Sequence, residues 1–362
     1  MRAVESYIEG RWHQGADGIT VNHAVTGESI ATVSSAGISF AAAVEYARTV
    51  GGPRLRELTF HDRAGILRAL GKHILADTAA LYDLSTATGA TRSDSWIDIE
   101  GGAGVLMAYS GIGRREMPNA KVIIDGEPVS LSRDGSFLGA HIISPRPGVA
   151  VHINAFNFPC WGMLEKLAPT FLAGMAMIVK PASQTSYLTE LMVRSIIESG
   201  ILPEGSLQLI SGNAGDLLDH LGPQDTVAFT GSADTARRLR THPAIIDNSV
   251  RFNAEADSLN AAILGESATP GTPEFDLFVA EVVKEMTTKA GQKCTAIRRI
   301  LVPSGVAADV EEALVARLAA VRVGDPADAE TDMGALASLD QREEVRQSVD
   351  ALSGAAKVVF DS

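Results

Sequence analysis

Cys294 is one of two cysteines in 362 residues and lies in the stretch Gly291-Gln292-Lys293-Cys294-Thr295. Upstream, Phe275, Phe278, Val279, Val282, Val283 and Met286 recur at helical spacing, and Thr272-Pro273-Glu274 reads as an N-cap, a first-turn proline and a first-turn acid. Downstream comes the strand-like run Arg299-Ile300-Leu301-Val302. A cysteine on a glycine-containing loop between such elements is a candidate nucleophile, because loops on a rigid scaffold present reactive groups. The competing reading is a small buried residue, since free cysteine is among the most buried types. Cys160 has no basic neighbour in sequence and is expected to pack inside.

Other stretches carry polar groups suited to binding or catalysis. In Asn154-Ala155-Phe156-Asn157-Phe158-Pro159 an asparagine amide is a donor for a developing oxyanion, or a cap for the helix that starts near Pro159. Lys180-Pro181-Ala182-Ser183 follows an apolar run, so Lys180 either faces a ribose or phosphate or ends the run in solvent. In Phe229-Thr230-Gly231-Ser232 a glycine permits close approach and a helix N-terminus favours phosphate, although a simple N-cap explains the same residues. Glu255, in Phe252-Asn253-Ala254-Glu255-Ala256-Asp257, is a general base for water or a surface acid. No glycine pattern completes GxGxxG, no GxSxG appears, and no histidine pair has metal-ligand spacing. The metal expectation is none.

The elements that position these groups alternate. Residues 6–35 read as a β-rich opening segment, and Ser39 to Met107 as helical. Val122 to Val129 contains Asp125-Gly126, a hairpin turn signal, and with Leu138 to Ile143 it is expected to form a projecting arm over about residues 120–145. Strands are expected at Val149–Ile153, Ala176–Val179, Leu207–Ile210, Thr226–Phe229 and Asn260–Leu264. Helices are expected at Trp161–Leu172, Thr185–Ser199, Ala214–Leu221 and Ala233–Leu239. This alternation implies an α/β fold, a parallel sheet doubly wound with helices. Ligands on such sheets lie beyond the carboxyl ends of the strands, where Asn154 to Asn157, Lys180 to Ser183, Thr230 to Ser232 and Glu255 fall. Glu255 itself is placed between two apolar strands.

Composition narrows the class. Lys plus Arg number 31 against 44 Asp plus Glu, a net charge of −13, which argues against nucleic acid or an anionic membrane as partner. Two cysteines make no disulfide framework, and the N-terminus lacks the apolar run of a signal peptide. The longest apolar run, Leu167 to Val179, falls short of the ~20 residues a membrane span needs. The reducing cytoplasm is the expected compartment.

Taken in order, Asn157-Phe158-Pro159, Lys180-Pro181-Ala182-Ser183, Phe229-Thr230-Gly231-Ser232, Glu255 and Gly291-Gln292-Lys293-Cys294 resemble the aldehyde dehydrogenase superfamily, as does the opening Tyr7-Ile8-Glu9-Gly10-Arg11-Trp12. The resemblance covers essentially the whole chain. It implies a Rossmann-like domain over 1–254, bearing the arm, and the N-terminal part of an α/β catalytic domain over 255–362. It implies that Cys294 attacks an aldehyde, that Asn157 and the Cys294 backbone N–H hold the oxyanion, that Glu255 activates water, and that Lys166 assists proton relay. Lys180, Ser183, Phe229, Thr230, Gly231 and Ser232 would bind NADP or NAD. Members that prefer NAD often carry glutamate where this chain has Ser183, so NADP is expected to be accepted. A homo-oligomer built on dimers is implied as well.

Phe252-Asn253-Ala254-Glu255-Ala256-Asp257-Ser258-Leu259-Asn260, with Asn157-Phe158-Pro159-Cys160-Trp161-Gly162, is similar to the dehydrogenase half of the bifunctional phenylacetate ring-opening proteins, which oxidise a CoA-linked semialdehyde. The dehydroadipyl-CoA semialdehyde dehydrogenases of benzoate breakdown are the competing subfamily. Family members carry a further Glu-x-Phe-Gly-Pro stretch and a C-terminal pairing strand that do not occur here, so a C-terminally truncated chain is expected. The alternatives are a non-catalytic remnant that binds nucleotide or pairs with a homologous subunit, and a cysteine hydrolase.

Overall fold

Val149–Ile153 is a strand with every residue buried, His152 included, as a strand in the middle of a parallel sheet must be. In the computed structural model, which describes residues 2–361, the chain divides into two units. The first comprises residues 2–21, 31–81 and 97–256, and the second residues 22–30, 82–96 and 257–361.

The first unit is built on a seven-stranded sheet. Its strands are β1 (Ser6–Ile8), β2 (Arg11–His13), β3 (Val149–Ile153), β4 (Ala176–Lys180), β5 (Leu207–Leu209), β6 (Thr226–Gly231) and β7 (Arg251–Ala256). Their order is β7-β6-β3-β4-β5-β1-β2, parallel from β7 to β5, with β1 and β2 added antiparallel at one side. The helices α1 (Phe60–Ala76) and α2 (Gly102–Arg115) precede the parallel part. α3 (Trp161–Leu172) links β3 to β4, α4 (Ser186–Glu198) links β4 to β5, and α5 (Ala233–Arg240) links β6 to β7. α1 begins with a capping box in which Thr59 and Asp62 satisfy each other's backbone N–H, and those hydrogen bonds hold the Asp62 carboxyl below its usual range.

The order of elements follows the sequence reading except at three places. Asp125-Gly126 does not form the hairpin turn. It lies inside the strand Ile123–Ser130, at a register shift between Asp125 and Val129, and the arm closes instead through residues 131–137 before Leu138–Ile143. In that loop the Ser132 hydroxyl accepts from Phe137 N–H and Asp134 accepts from Ser136, an arrangement that outcompetes the Asp-Gly signal. Ala214–Leu221 is not a helix but one 3₁₀ turn, Leu217–His220. Glu255 does not lie between strands. Residues 251–256 form β7, and the next strand, β8 (Ala261–Ile263), belongs to a different sheet.

In the second unit β8 pairs in parallel with β9 (Arg299–Leu301). Two helices, α6 (Pro273–Thr287) and α7 (Ala307–Ala319), pack around Leu264, Ala268, Phe275, Val279 and Val310. The Thr272 hydroxyl accepts from Phe275 N–H at 3.3 Å, and Pro273 takes the first helical position, so the expected start of α6 is the one found.

Candidate active site

The carboxyl ends of the parallel strands in the first unit carry polar groups that lack partners. Asn154 follows β3 and is 4% exposed, with its backbone N–H on the Lys180 carbonyl at 3.0 Å. Neither polar atom of its side chain has a hydrogen-bond partner within the chain, and the same is true of the buried Thr230 hydroxyl. The register sets Thr226 to Phe229 of β6 beside Ala150 to Ile153 of β3, so Thr230 falls beside Asn154, and Thr230 is paired with Glu255 of β7. Residues in register on parallel strands point to one face, so Asn154, Thr230 and Glu255 form a row across three strands. Glu255 is exposed on the edge strand.

The Asn157 loop is held from two sides. The Thr185 hydroxyl donates to the Phe156 carbonyl at 3.0 Å, and the Thr189 hydroxyl to the Pro159 carbonyl at 3.1 Å. The first amides of α3, those of Cys160 and Trp161, donate to buried Asp98 at 3.0 and 2.7 Å. Asn157 itself is half-buried. Lys166, half-buried on α3, donates to Glu165 Oε1 at 2.7 Å, while Trp161 Nε1 donates to Glu165 Oε2 at 3.0 Å. His152 lies within hydrogen-bond reach of Thr170 Oγ1, at 3.1 Å. Burial, and after it the charge of Lys166, pushes its pKa down to about 3, so the ring is neutral.

Lys180 ends β4, and burial lowers its pKa. Ser183 opens a 3₁₀ turn, Ser183–Thr185. Phe229 is buried, and a Cβ on Gly231 would come within 2.5 Å of the Phe229 ring, so a larger residue there must displace that ring. Ser232 caps α5 by accepting from Thr235 N–H. The free Thr230 hydroxyl, the unsatisfied Asn154 amide, the lysine and the helix N-terminus are the donors and acceptors that a ribose and a pyrophosphate require. The residues present therefore fit a dinucleotide. Among the described residues no group of three or more His, Cys, Asp or Glu could hold a metal ion, and no helix is long and apolar enough to cross a membrane.

Cys294 belongs to the second unit and is exposed, whereas Cys160 is fully buried. The loop that carries Cys294 leaves α6 through three consecutive left-handed residues, Lys289 and Ala290 at φ 52° and Gly291 at φ 71°. The Lys289 carbonyl accepts from Gln292 N–H at 3.0 Å and from Gln292 Nε2 at 2.9 Å. Gln292 Oε1 accepts from Ala337 N–H at 3.0 Å. The Asn260 side-chain amide donates to the Cys294 carbonyl at 2.6 Å and to the Ala296 carbonyl at 3.3 Å. Lys293 pairs with Glu285 at 2.8 Å. Sequence reasoning passed over Asn260 and Lys289 as site residues and marked Asn154 only by its place just after a strand. Asn154 and Asn260 stood inside the motifs without a role, and nothing in the periodicity marked Lys289.

Fold and donor set together define a doubly wound α/β protein with a nucleotide-type strand edge in one unit and an exposed thiol on a tethered loop in the other. The aldehyde dehydrogenase family profile matches residues 12–362, and the chain belongs to that family of oxidoreductases. It is 45% identical over 357 residues to a 3,4-dehydroadipyl-CoA semialdehyde dehydrogenase of Aromatoleum evansii, an alignment that spans 98% of this chain and 69% of that protein. Its fold matches betaine aldehyde dehydrogenase from Staphylococcus aureus, solved with NAD+, at 24% identity with a TM-score of 0.85, covering 98% of this chain and 68% of that one. An NADP-dependent enzyme of E. coli matches with the same identity and TM-score, over 99% of this chain and 72% of the other.

Proposed function

We propose that the protein oxidises an aldehyde to a carboxylic acid with NADP or NAD, residues 1–254 serving as the dinucleotide-binding domain and 255–362 as the N-terminal part of a catalytic domain. The carrying observation is the contrast between its cysteines: in a family of aldehyde oxidoreductases, the one thiol that is exposed, Cys294, stands on the glycine loop after α6. The Cys294 thiolate attacks the aldehyde carbon, and the new oxyanion accepts hydrogen bonds from the Asn157 amide and the Cys294 backbone N–H. The nicotinamide, when bound, supplies the hydride acceptor. Lys180, Ser183, Phe229, Thr230, Gly231 and Ser232 are the residues assigned to hold the dinucleotide. The acyl group left on Cys294 is a thioester, and Glu255 takes a proton from the water that hydrolyses it. Lys166 then passes that proton on. Asn154 joins the binding set on the strength of its unsatisfied amide.

The substrate we assign is a CoA-linked semialdehyde. Support comes from the name of the Aromatoleum evansii relative and from the stretch Phe252 to Asn260, with Glu255-Ala256-Asp257 in place of the common Glu-Leu-Gly. That relative favours 3,4-dehydroadipyl-CoA semialdehyde, while the motif around Asn157 to Gly162 favours the phenylacetate-derived CoA semialdehyde about equally. The protein is assigned to the cytoplasm, and to a homo-oligomer that covers the exposed Ile124, Phe137 and Ile142 of the arm. The test is reduction of NADP and NAD by the purified protein with each CoA semialdehyde and with the matching free semialdehydes. Turnover at least tenfold more efficient with a CoA ester is expected. Equal efficiency with the free aldehydes rejects the CoA assignment, and no reduced cofactor with any aldehyde rejects the oxidation itself.

A further inference from the structure

We infer that Lys289 is a positioning residue for the nucleophile: its buried ammonium, anchored on Thr88, holds the left-handed turn from which the Cys294 loop departs. The inference rests on the proposed role of Cys294. Lys289 is 2% exposed and is among the largest fully buried side chains of the protein. Its Nζ donates to Thr88 Oγ1 at 2.7 Å and to the Thr88 carbonyl at 3.3 Å. Its backbone N–H donates to Asp94 Oδ1 at 2.8 Å, and the other oxygen of that buried carboxylate accepts from the N–H and hydroxyl of Thr91. Both ends of the residue are thus fixed to the segment 82–96, nearly two hundred positions away in sequence but in the same unit.

A buried ammonium is unfavourable unless its protons are satisfied, and a lysine at positive φ is a second unfavourable choice at the same position. Glycine would accept the turn without strain and an apolar residue would fill the space without the desolvation cost. Either would keep the backbone bond to Asp94, but neither could reach Thr88. The Lys289 carbonyl is the acceptor for both Gln292 donors, so the orientation of its peptide plane sets the residue two places before Cys294. Arg298 donates to the Gly291 carbonyl at 2.9 Å and closes the same turn. The tether therefore runs from Thr88 through Lys289 and Gln292 to the thiol.

The experiment measures amide hydrogen exchange and steady-state kinetics in Lys289→Met, which keeps an unbranched stem and removes the charge. Exchange at Gln292 N–H is expected to rise at least tenfold while Val279 and Val282 in α6 stay unchanged. With that, kcat should fall at least tenfold and KM should stay within twofold. Uniformly faster exchange across the second unit, or unchanged protection at Gln292, overturns the proposal. So does unchanged kcat in a variant with selective loosening. Thr88→Val, which removes the hydroxyl acceptor alone, gives a smaller effect at the same amide and carries the test should Lys289→Met fail to fold. If the wild type oxidises no aldehyde, the function is rejected while the exchange data still decide the anchor.

Discussion

Asn260→Ala is the most direct perturbation of the proposed nucleophile, Cys294, that leaves the thiol itself untouched. The Asn260 amide makes two hydrogen bonds to carbonyls that flank the thiol loop, at 2.6 Å to Cys294 and 3.3 Å to Ala296. Its backbone carbonyl accepts from Arg298 N–H and Arg299 N–H, bonds that the substitution does not touch, so the start of β9 stays in place. A neutral hydrogen bond contributes about 0.5–1.5 kcal/mol net, and the pair is worth about 1–2 kcal/mol because the exposed Cys294 carbonyl regains water. At about 1.4 kcal/mol per factor of ten, loss of that constraint in the transition state lowers kcat about 5- to 30-fold. Asn260→Asp should do more harm, since it sets a carboxylate against two carbonyl oxygens. The assay is single-turnover acylation followed by steady-state turnover, with urea unfolding as the control. The reasoning is refuted if acylation stays within about twofold of wild type while the urea midpoint falls, for then Asn260 serves stability alone.

Cys294→Ala should abolish aldehyde oxidation and iodoacetamide labelling of the native protein, while Cys160→Ala, which removes one buried sulfur, keeps turnover at a stability cost of about 1 kcal/mol; mass mapping of the labelled peptides checks both. Ser183→Glu should raise KM for NADP at least tenfold and shift preference toward NAD, by placing a carboxylate where the proposed site would take the 2′-phosphate; equal KM values for NADP in both forms count against the assignment of Ser183. His152 refuses a proton in the folded state down to about pH 3, whereas the unfolded chain takes one near 6.5, so stability falls as pH drops through that window. The loss is about 2 kcal/mol at about pH 5, and His152→Gln, which keeps a partner for Thr170, should flatten the slope of urea midpoints between about pH 7 and 5.

The sheet of the first unit was legible because its signals are local. Val149–Ile153 is apolar but for His152 and bounded by Pro147-Gly148, and Trp161–Leu172 has its apolar positions at helical spacing, so both appear where expected. β7 was missed because it is an edge strand. Arg251, Asn253 and Glu255 face solvent in alternation with half-buried Phe252, Ala254 and Ala256, a polar pattern that reads as loop. Asp125-Gly126 misled because the turn signal assumes that the strands end there, and the chain instead absorbs the glycine's positive φ inside the strand. The family motifs located Cys294, but its tether could not be read. Thr88 and Asp94, Asn260, and Ala337 come from three separate stretches, and only the fold places them beside the Lys289–Cys294 segment.

The two units use different means to fix their polar groups, and this determines what each tolerates. In the first, strand pairing does the positioning: Asn154, Thr230 and Glu255 stand side by side because backbone hydrogen bonds set the register, so a side-chain substitution in the row changes chemistry without moving its neighbours. The cost is a row that leaves the Asn154 amide and Thr230 hydroxyl buried without partners, a penalty of about 1–3 kcal/mol per group that a bound ligand or water removes. In the second unit no ladder reaches Cys294. Its loop departs through two strained non-glycine residues, each costing about 1–2 kcal/mol, and is held by individual side chains. Loss of any one of these ties is expected to loosen the loop that carries the thiol. Substitutions of Asn154 and Thr230 in the strand row should therefore act mainly on KM for the cofactor, and substitutions in the tether on kcat.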